Sequence, residues 1–165
     1  MNRPLGFTLI ELIVTVALAA ILLTIGVPSF QEMMRNNRAA THTNEMLTAL
    51  NFARSEAVKR GRDVLLCPST DPANWCVGTD WSGGWIVFAD LNNNGAADAG
   101  EILRVWEALS GNPTFTGPAT MGYQPTGEGV AGAASFAYTL DTRNYLVCVN
   151  PVGRPSIEKD ATVCP

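Results

Sequence analysis

FTLIELIVTVALAAILLTIGV, Phe7 to Val27, is an uninterrupted apolar run in which Glu11 is the only charge. As a helix, ~21 residues at ~1.5 Å each reach about 30 Å, the thickness of a bilayer's hydrocarbon core. Met1 to Gly6 stand ahead of it with Arg3 as a positive charge. That charge favours a cytoplasmic N-terminus and sends the rest of the chain to the other side. A secretory signal peptide would place a small-residue cleavage site after the apolar run. Here the sequence continues through Pro28, Ser29 and Phe30 into a second helical pattern, so a cut there would sever one element. Pro28 removes a backbone hydrogen bond and crowds the preceding turn, which predicts a kink rather than a stop where the pattern goes on.

The pattern does go on, from Gln31 to Arg60. Met46, Leu50, Ala53 and Ala57 recur at helical spacing with Leu47 and Val58 flanking them, so this half turns one apolar face to a core. Gly61 is the expected C-cap. His42 reads as a solvated helix residue. Beyond Gly61 the period changes. Asp63–Cys67, Gly84–Ala89, Ile102–Trp106, Ser135–Leu140 and Asn144–Val149 read as strands, with Asp141-Thr142-Arg143 as a hairpin turn. The loops are rich in Gly and Pro, most densely from Ser110 to Gly132. The fold class is α+β: a long N-terminal helix, apolar in its first half, packed on an antiparallel sheet. Residues 1–6 form a leader, 7–30 a transmembrane or filament-core segment, and 31–165 the body, divided into an amphipathic helix (31–60) and a β-rich part (61–165).

The formal net charge is −4, and losing Arg3 with a leader would make the chain more acidic still. An acidic body is a poor general partner for nucleic acid, whose phosphates want clustered Lys and Arg. No Walker-type loop, GxGxxG or CxxC occurs. A Ser/His/Asp set would have only His42, on a helix, so no enzymatic role is expected. Trp75, Trp81, Trp85 and Trp106 read as core and loop anchors. Cys67, Cys76, Cys148 and Cys164 lack zinc-ligand spacing. An even count behind a membrane-targeting segment points to an oxidising compartment. Three pairings are open; local spacing favours Cys67–Cys76 and Cys148–Cys164, with four buried thiols as the alternative.

A carboxylate in hydrocarbon costs about 2.5–3.5 kcal/mol on insertion scales, so Glu11 calls for a buried cation. Cleavage before Phe7 would create one, an α-amino group ~4 residues or about 6 Å of helix rise away. It could belong to the same chain or to a staggered neighbour. The bland alternative is a protonated Glu11 at the membrane interface. Gly6-Phe7-Thr8-Leu9-Ile10-Glu11, its short basic leader and the apolar run together resemble the type III signal of type IV prepilins and pseudopilins. The resemblance implies cleavage between Gly6 and Phe7 by a prepilin peptidase, N-methylation of Phe7, and a Glu11 that neutralises a neighbour's N-terminus during assembly.

The body carries its own resemblance. Ala53-Arg54-Ser55-Glu56-Ala57-Val58-Lys59-Arg60 before a strand, Gly84-Trp85-Ile86-Val87-Phe88 before an Asp/Asn/Gly loop, and Pro151-Val152-Gly153-Arg154 together resemble the GspH/FimT branch of minor pilins and pseudopilins. This implies a low-abundance subunit near a filament tip, held in the inner membrane with its body in the periplasm before assembly. Its implied partners are other minor pilins, the major pilin, the prepilin peptidase and the inner-membrane assembly platform. Pairs of cysteines and the Gly-Arg tail look more like the pilus members, FimT and FimU. The alternatives are a FimT-like DNA-uptake pilin and a GspH-like pseudopilin of type II secretion.

Two constellations remain. Asp90-Leu91-Asn92-Asn93-Asn94-Gly95-Ala96-Ala97-Asp98-Ala99-Gly100-Glu101 follows EF-hand loop spacing, so Asp90, Asn92, Asn94, Asp98 and Glu101 are candidate Ca²⁺ ligands. Flanking strands argue instead for a loop held by Asx-turns. In FimT-like DNA receptors a Gly-Arg-x-Arg motif meets phosphate; here Gly153-Arg154-Pro155-Ser156 lacks the second Arg. Arg143, Arg154 and Lys159 are the candidate DNA contacts, diluted by Glu158 and Asp160, and so few cations imply weak binding.

Overall fold

The computed structural model describes residues 7–71 and 74–165. The leader, including Gly6, lies outside the described residues. One helix, α1, runs from Leu9 to Arg60, followed by nine strands: β1 (Val64–Asp71), β2 (Asn74–Trp75), β3 (Trp85–Ala89), β4 (Ile102–Trp106), β5 (Thr114–Thr116), β6 (Met121–Tyr123), β7 (Ala134–Leu140), β8 (Arg143–Val149) and β9 (Pro155–Lys159). Contacts divide the chain into two units, Met1–Arg38 and Ala39–Pro165.

In the first unit the apolar side chains of α1 from Leu9 to Phe30 are exposed. Over its most apolar 18-residue window the mean hydropathy is 2.5 and no residue is buried, so the helix is long and apolar enough to cross a membrane. The hydroxyls of the two threonines between Leu9 and Phe30 are satisfied on the helix. Thr15 donates to the Leu12 carbonyl at 2.8 Å and Thr24 to that of Ile21 at 2.7 Å. In hydrocarbon an unmade hydrogen bond costs several kcal/mol, so these back-bonds make both threonines tolerable there. Pro28 sits inside α1 and does not end it.

In the second unit α1 buries Ala39, His42, Thr43, Met46, Ala49, Leu50, Ala53 and Ala57. Steps of three and four put these on one face, and four alanines let strands approach closely. Met46, Leu50, Ala53 and Ala57 therefore lie where the periodicity put them. Two expectations fail. Val58 points outward and is 56% exposed. His42 is buried, not solvated: its Nδ1 lies 2.9 Å from the Tyr138 hydroxyl, a partner supplied by β7. At the helix end Gly61 takes a φ of 64°, and Gly61 and Arg62 both donate to the Ala57 carbonyl, a Schellman-type stop.

The strands form two antiparallel sheets rather than one. In the first the order is β2-β1-β3-β4, with β6 also paired to β1; in the second it is β5-β7-β8-β9. The main core gathers Leu50, Leu66, Trp81, Trp85, Phe115, Phe136, Tyr138 and Val147 among others. A second cluster on the opposite face of the first sheet joins Leu65, Cys67, Ile86 and Phe88, backed by Trp75, Cys76, Ala97 and Ile102. With both faces covered, β3 is buried at every position, which explains its unbroken apolar sequence. Cys67–Cys76 and Cys148–Cys164 are the two disulfides. The 141–143 turn is tighter than its sequence suggests: Leu140 pairs with Arg143, leaving Asp141 and Thr142 as the loop.

Candidate functional site

The first residues of α1 form a capping box. Thr8 is the N-cap, and its hydroxyl accepts from the Glu11 amide at 3.3 Å. Reciprocally, Glu11 Oε2 accepts from the Thr8 amide at 2.9 Å and from its hydroxyl at 3.0 Å. Thr-x-x-Glu satisfies orphan donors of a helix start in this way. Negative charge there also complements the helix dipole. The carboxylate is thus aimed back toward Phe7, with Oε1 engaged by no described residue. The cleavage position itself, before Phe7, adjoins residues outside the description. The sequence reading gave Glu11 a partner in the α-amino group and missed Thr8, although Thr-x-x-Glu is itself a sequence signature.

On the body, the Asp90–Glu101 loop closes on itself. Asp90 Oδ1 and Oδ2 accept from the amides of Asn94 at 3.1 Å and Gly95 at 2.9 Å. Glu101 Oε1 accepts from Leu91 at 2.8 Å, and Oε2 from the Asp98 amide at 3.3 Å. The Nδ2 groups of the Asn92 and Asn94 side chains both donate to Asp98 Oδ2. The spacing does bring the five candidate side chains into one loop, with Asp90 and Glu101 buried. Their acceptors are met by N–H donors, and among the described residues no group of three His, Cys, Asp or Glu is placed to hold a metal ion. These hydrogen bonds fit an Asx-turned loop.

Two of the three candidate DNA contacts share one end of the second sheet, and the third lies at the other end. Arg143 opens β8 beside the Lys159 end of β9, because Tyr145 pairs with Lys159. Arg154 precedes the other end, where Val149 pairs with Pro155. Five residues of extended chain, roughly 16 Å, separate Arg154 from Lys159. The neighbouring glycine has a structural task. Gly153 has a φ of 80°, and a Cβ there would collide with the Gly127 carbonyl and crowd the Tyr123 ring. Arg54, from the family-like helix segment, donates from Nε to the Gly127 carbonyl at 2.8 Å and from Nη2 to the Val152 carbonyl at 3.1 Å. Burial pushes the Tyr123 phenol up to about 12, the Arg54 charge opposing it. Arg54, Val152 and Gly153 stood in segments quoted from the sequence, but their meeting with Gly127 and Tyr123 was not foreseen.

A family model described as type II transport protein GspH matches residues 42–153. The model of the prokaryotic N-terminal methylation motif matches residues 1–27. Two crystal forms of the type IV minor pilin FimU from Pseudomonas aeruginosa (strain PAO1) share the fold. The P65 form superposes with a TM-score of 0.56 at 20% identity, covering 72% of this chain and 91% of that one. The P21 form gives 0.61 at 19% identity, covering 76% and 92%. No curated protein matches the chain.

Proposed function

This chain belongs to the family described as type II transport protein GspH, and from that premise we propose that it is a minor type IV pilin, a structural subunit at the tip of a pilus. It waits in the inner membrane on the apolar half of α1, its body in the periplasm. Prepilin peptidase cuts between Gly6 and Phe7, and Phe7 is N-methylated; the methylation motif at residues 1–27 supports this processing. The observation that carries the assembly role is the divided Glu11 carboxylate. One oxygen is held by the capping box of its own chain, while Oε1 is left for the amino terminus of the neighbouring major or minor pilin. Pairing two charges in a dry filament core offsets the cost that each would carry alone.

The test uses membrane and sheared-filament fractions. Intact mass should show a chain beginning at Phe7, and Gly6→Val should block that cut by crowding the peptidase with a β-branched side chain. Glu11→Ala should insert normally, since it removes an intramembrane charge, yet be depleted from filaments. Equal recovery of variant and wild type in filaments would overturn the pairing role. The family description favours a second reading, a pseudopilin of type II secretion. Deletion scored for surface pili, secretion and DNA uptake separates the readings: loss of secretion alone selects the second. A DNA receptor would lose uptake with pili retained, an outcome that the distance of Arg154 from Arg143 and Lys159 argues against.

A further inference from the structure

The first sheet ends on β4, and among the described residues no strand pairs with its outer side. An antiparallel edge strand turns alternate N–H and C=O groups outward, and only another extended backbone matches that row. Most edges are defended. Here the register shifts opposite Val87 and Phe88, while Arg104, Val105 and Trp106 remain regularly paired with Val87, Ile86 and Trp85. The shift brings Ile102 and Val105 to the same outer face. Beside them lies a hollow of about 330 Å³ bounded also by Trp75, Ile86 and Trp106. Val105 stands at its mouth, 58% exposed. The opposite face of β4 is covered by the chain itself, the Arg104 guanidinium lying 4.5 Å from the Trp106 ring and 5.8 Å from that of Phe52.

Among the described residues lining the hollow Glu107 is the one charged side chain, and no described residue pairs with it. We propose that β4 receives an extended segment from the body of a different filament subunit, added as a further strand. That segment places an apolar side chain in the hollow and a Lys or Arg against Glu107. Main-chain bonds would supply adhesion, and the hollow and carboxylate the selection. A second copy of this chain is the poorer occupant. Its β4 offers only Arg104 as a cation, already committed to Trp106 and Phe52, so Glu107 would stay unmatched. The inference rests on the filament-subunit reading and names the surface through which that subunit would be held.

The experiment compares wild type with Val105→Lys and Glu107→Lys in sheared filaments, normalised to membrane levels, with Val105→Thr as the strand-compatible control. Both positions are solvent-facing, so the three purified full-length variants should melt with wild type. Each Lys variant should fall roughly tenfold in the filament fraction, the loss expected when one favourable contact becomes a repulsive one. A photoreactive side chain at Val105 should crosslink, within filaments, to a strand of another subunit at or next to a Lys or Arg. Undiminished recovery of both Lys variants would overturn the proposal, as would adducts to a helix or to a second copy of this chain. If wild type itself is missing from filaments, the filament reading falls and takes this one with it.

Discussion

Arg54 and Gly127 are joined across 73 positions of sequence: the Arg54 Nε donates to the Gly127 carbonyl at 2.8 Å. The same guanidinium reaches the Val152 carbonyl at 3.1 Å, so one side chain on α1 pins two loops. Its planar fork suits two acceptors in a way that the point charge of lysine does not. Arg54→Lys should keep one bond and Arg54→Ala neither. Hydrogen bonds to charged groups contribute about 1.5–3 kcal/mol, discounted here because one of the two is solvent-exposed. Arg54→Ala should therefore cost about 2 kcal/mol, with Arg54→Lys intermediate. Thermal unfolding of the full chain in detergent checks this; an unchanged melt for Arg54→Ala would show the clamp to be idle.

Gly153 and Arg154 adjoin in sequence yet should separate in effect. Gly153→Ala must hold an L-residue at a φ of 80° while its methyl meets the Gly127 carbonyl and the Tyr123 ring. The backbone strain alone is about 1–3 kcal/mol, before any loop displacement. Arg154 is exposed, and Arg154→Ser should melt with wild type. The measurement is a pair of melts; equal stability of both variants would contradict this division.

The long helix and its buried face were legible because a period of 3.6 over many residues is hard to mimic, and Gly61 marks its end. The short strands β5 and β6 were not. Three residues each, in a Gly- and Pro-rich stretch, carry no readable period, yet they bury Phe115, Met121 and Tyr123. Nor does sequence show that Tyr138, 96 positions away, would offer His42 a hydroxyl in the core. At the candidate site, an intramembrane charge made Glu11 conspicuous, whereas Thr8 looked like any residue of an apolar run. Whether Arg143, Arg154 and Lys159 converge depends on strand register, which only the paired strands fix.

The Tyr123 hydroxyl is buried and meets no hydrogen-bond partner among the described residues. Its ordinary pKa is 10.0, and burial pushes it up to about 12 in the folded chain. The unfolded chain therefore releases this proton first. Stability from this group is intact below about pH 10 and declines as pH rises toward about 12. The full loss is about 3 kcal/mol. Tyr123→Phe removes the titrating group along with a desolvated hydroxyl, so it should melt at or above wild type at neutral pH. It should also show a shallower alkaline decline. Melts across pH 8 to 11 test this; parallel curves for both proteins would refute it.

In the Asp90–Glu101 loop, motif and hydrogen bonding make opposite predictions about calcium. An ion would draw on Asp90, Asp98 and Glu101, and at ten times its dissociation constant would stabilise the fold by about 1.4 kcal/mol. Against that, both oxygens of Asp90 and of Glu101 accept loop amides, and Asp98 accepts the Asn92 and Asn94 side chains. Those bonds already do what a metal would do, holding acidic groups in one turn. The melting temperature should therefore be the same in millimolar CaCl₂ and in matched MgCl₂. Glu101→Gln keeps one acceptor but sets an NH₂ group against an N–H donor, from either Leu91 or Asp98. It should melt lower by about 1–2 kcal/mol, equally in both salts. A calcium-specific rise in wild type that Glu101→Gln abolishes would contradict this, the loop amides then orienting the carboxylates that hold the ion.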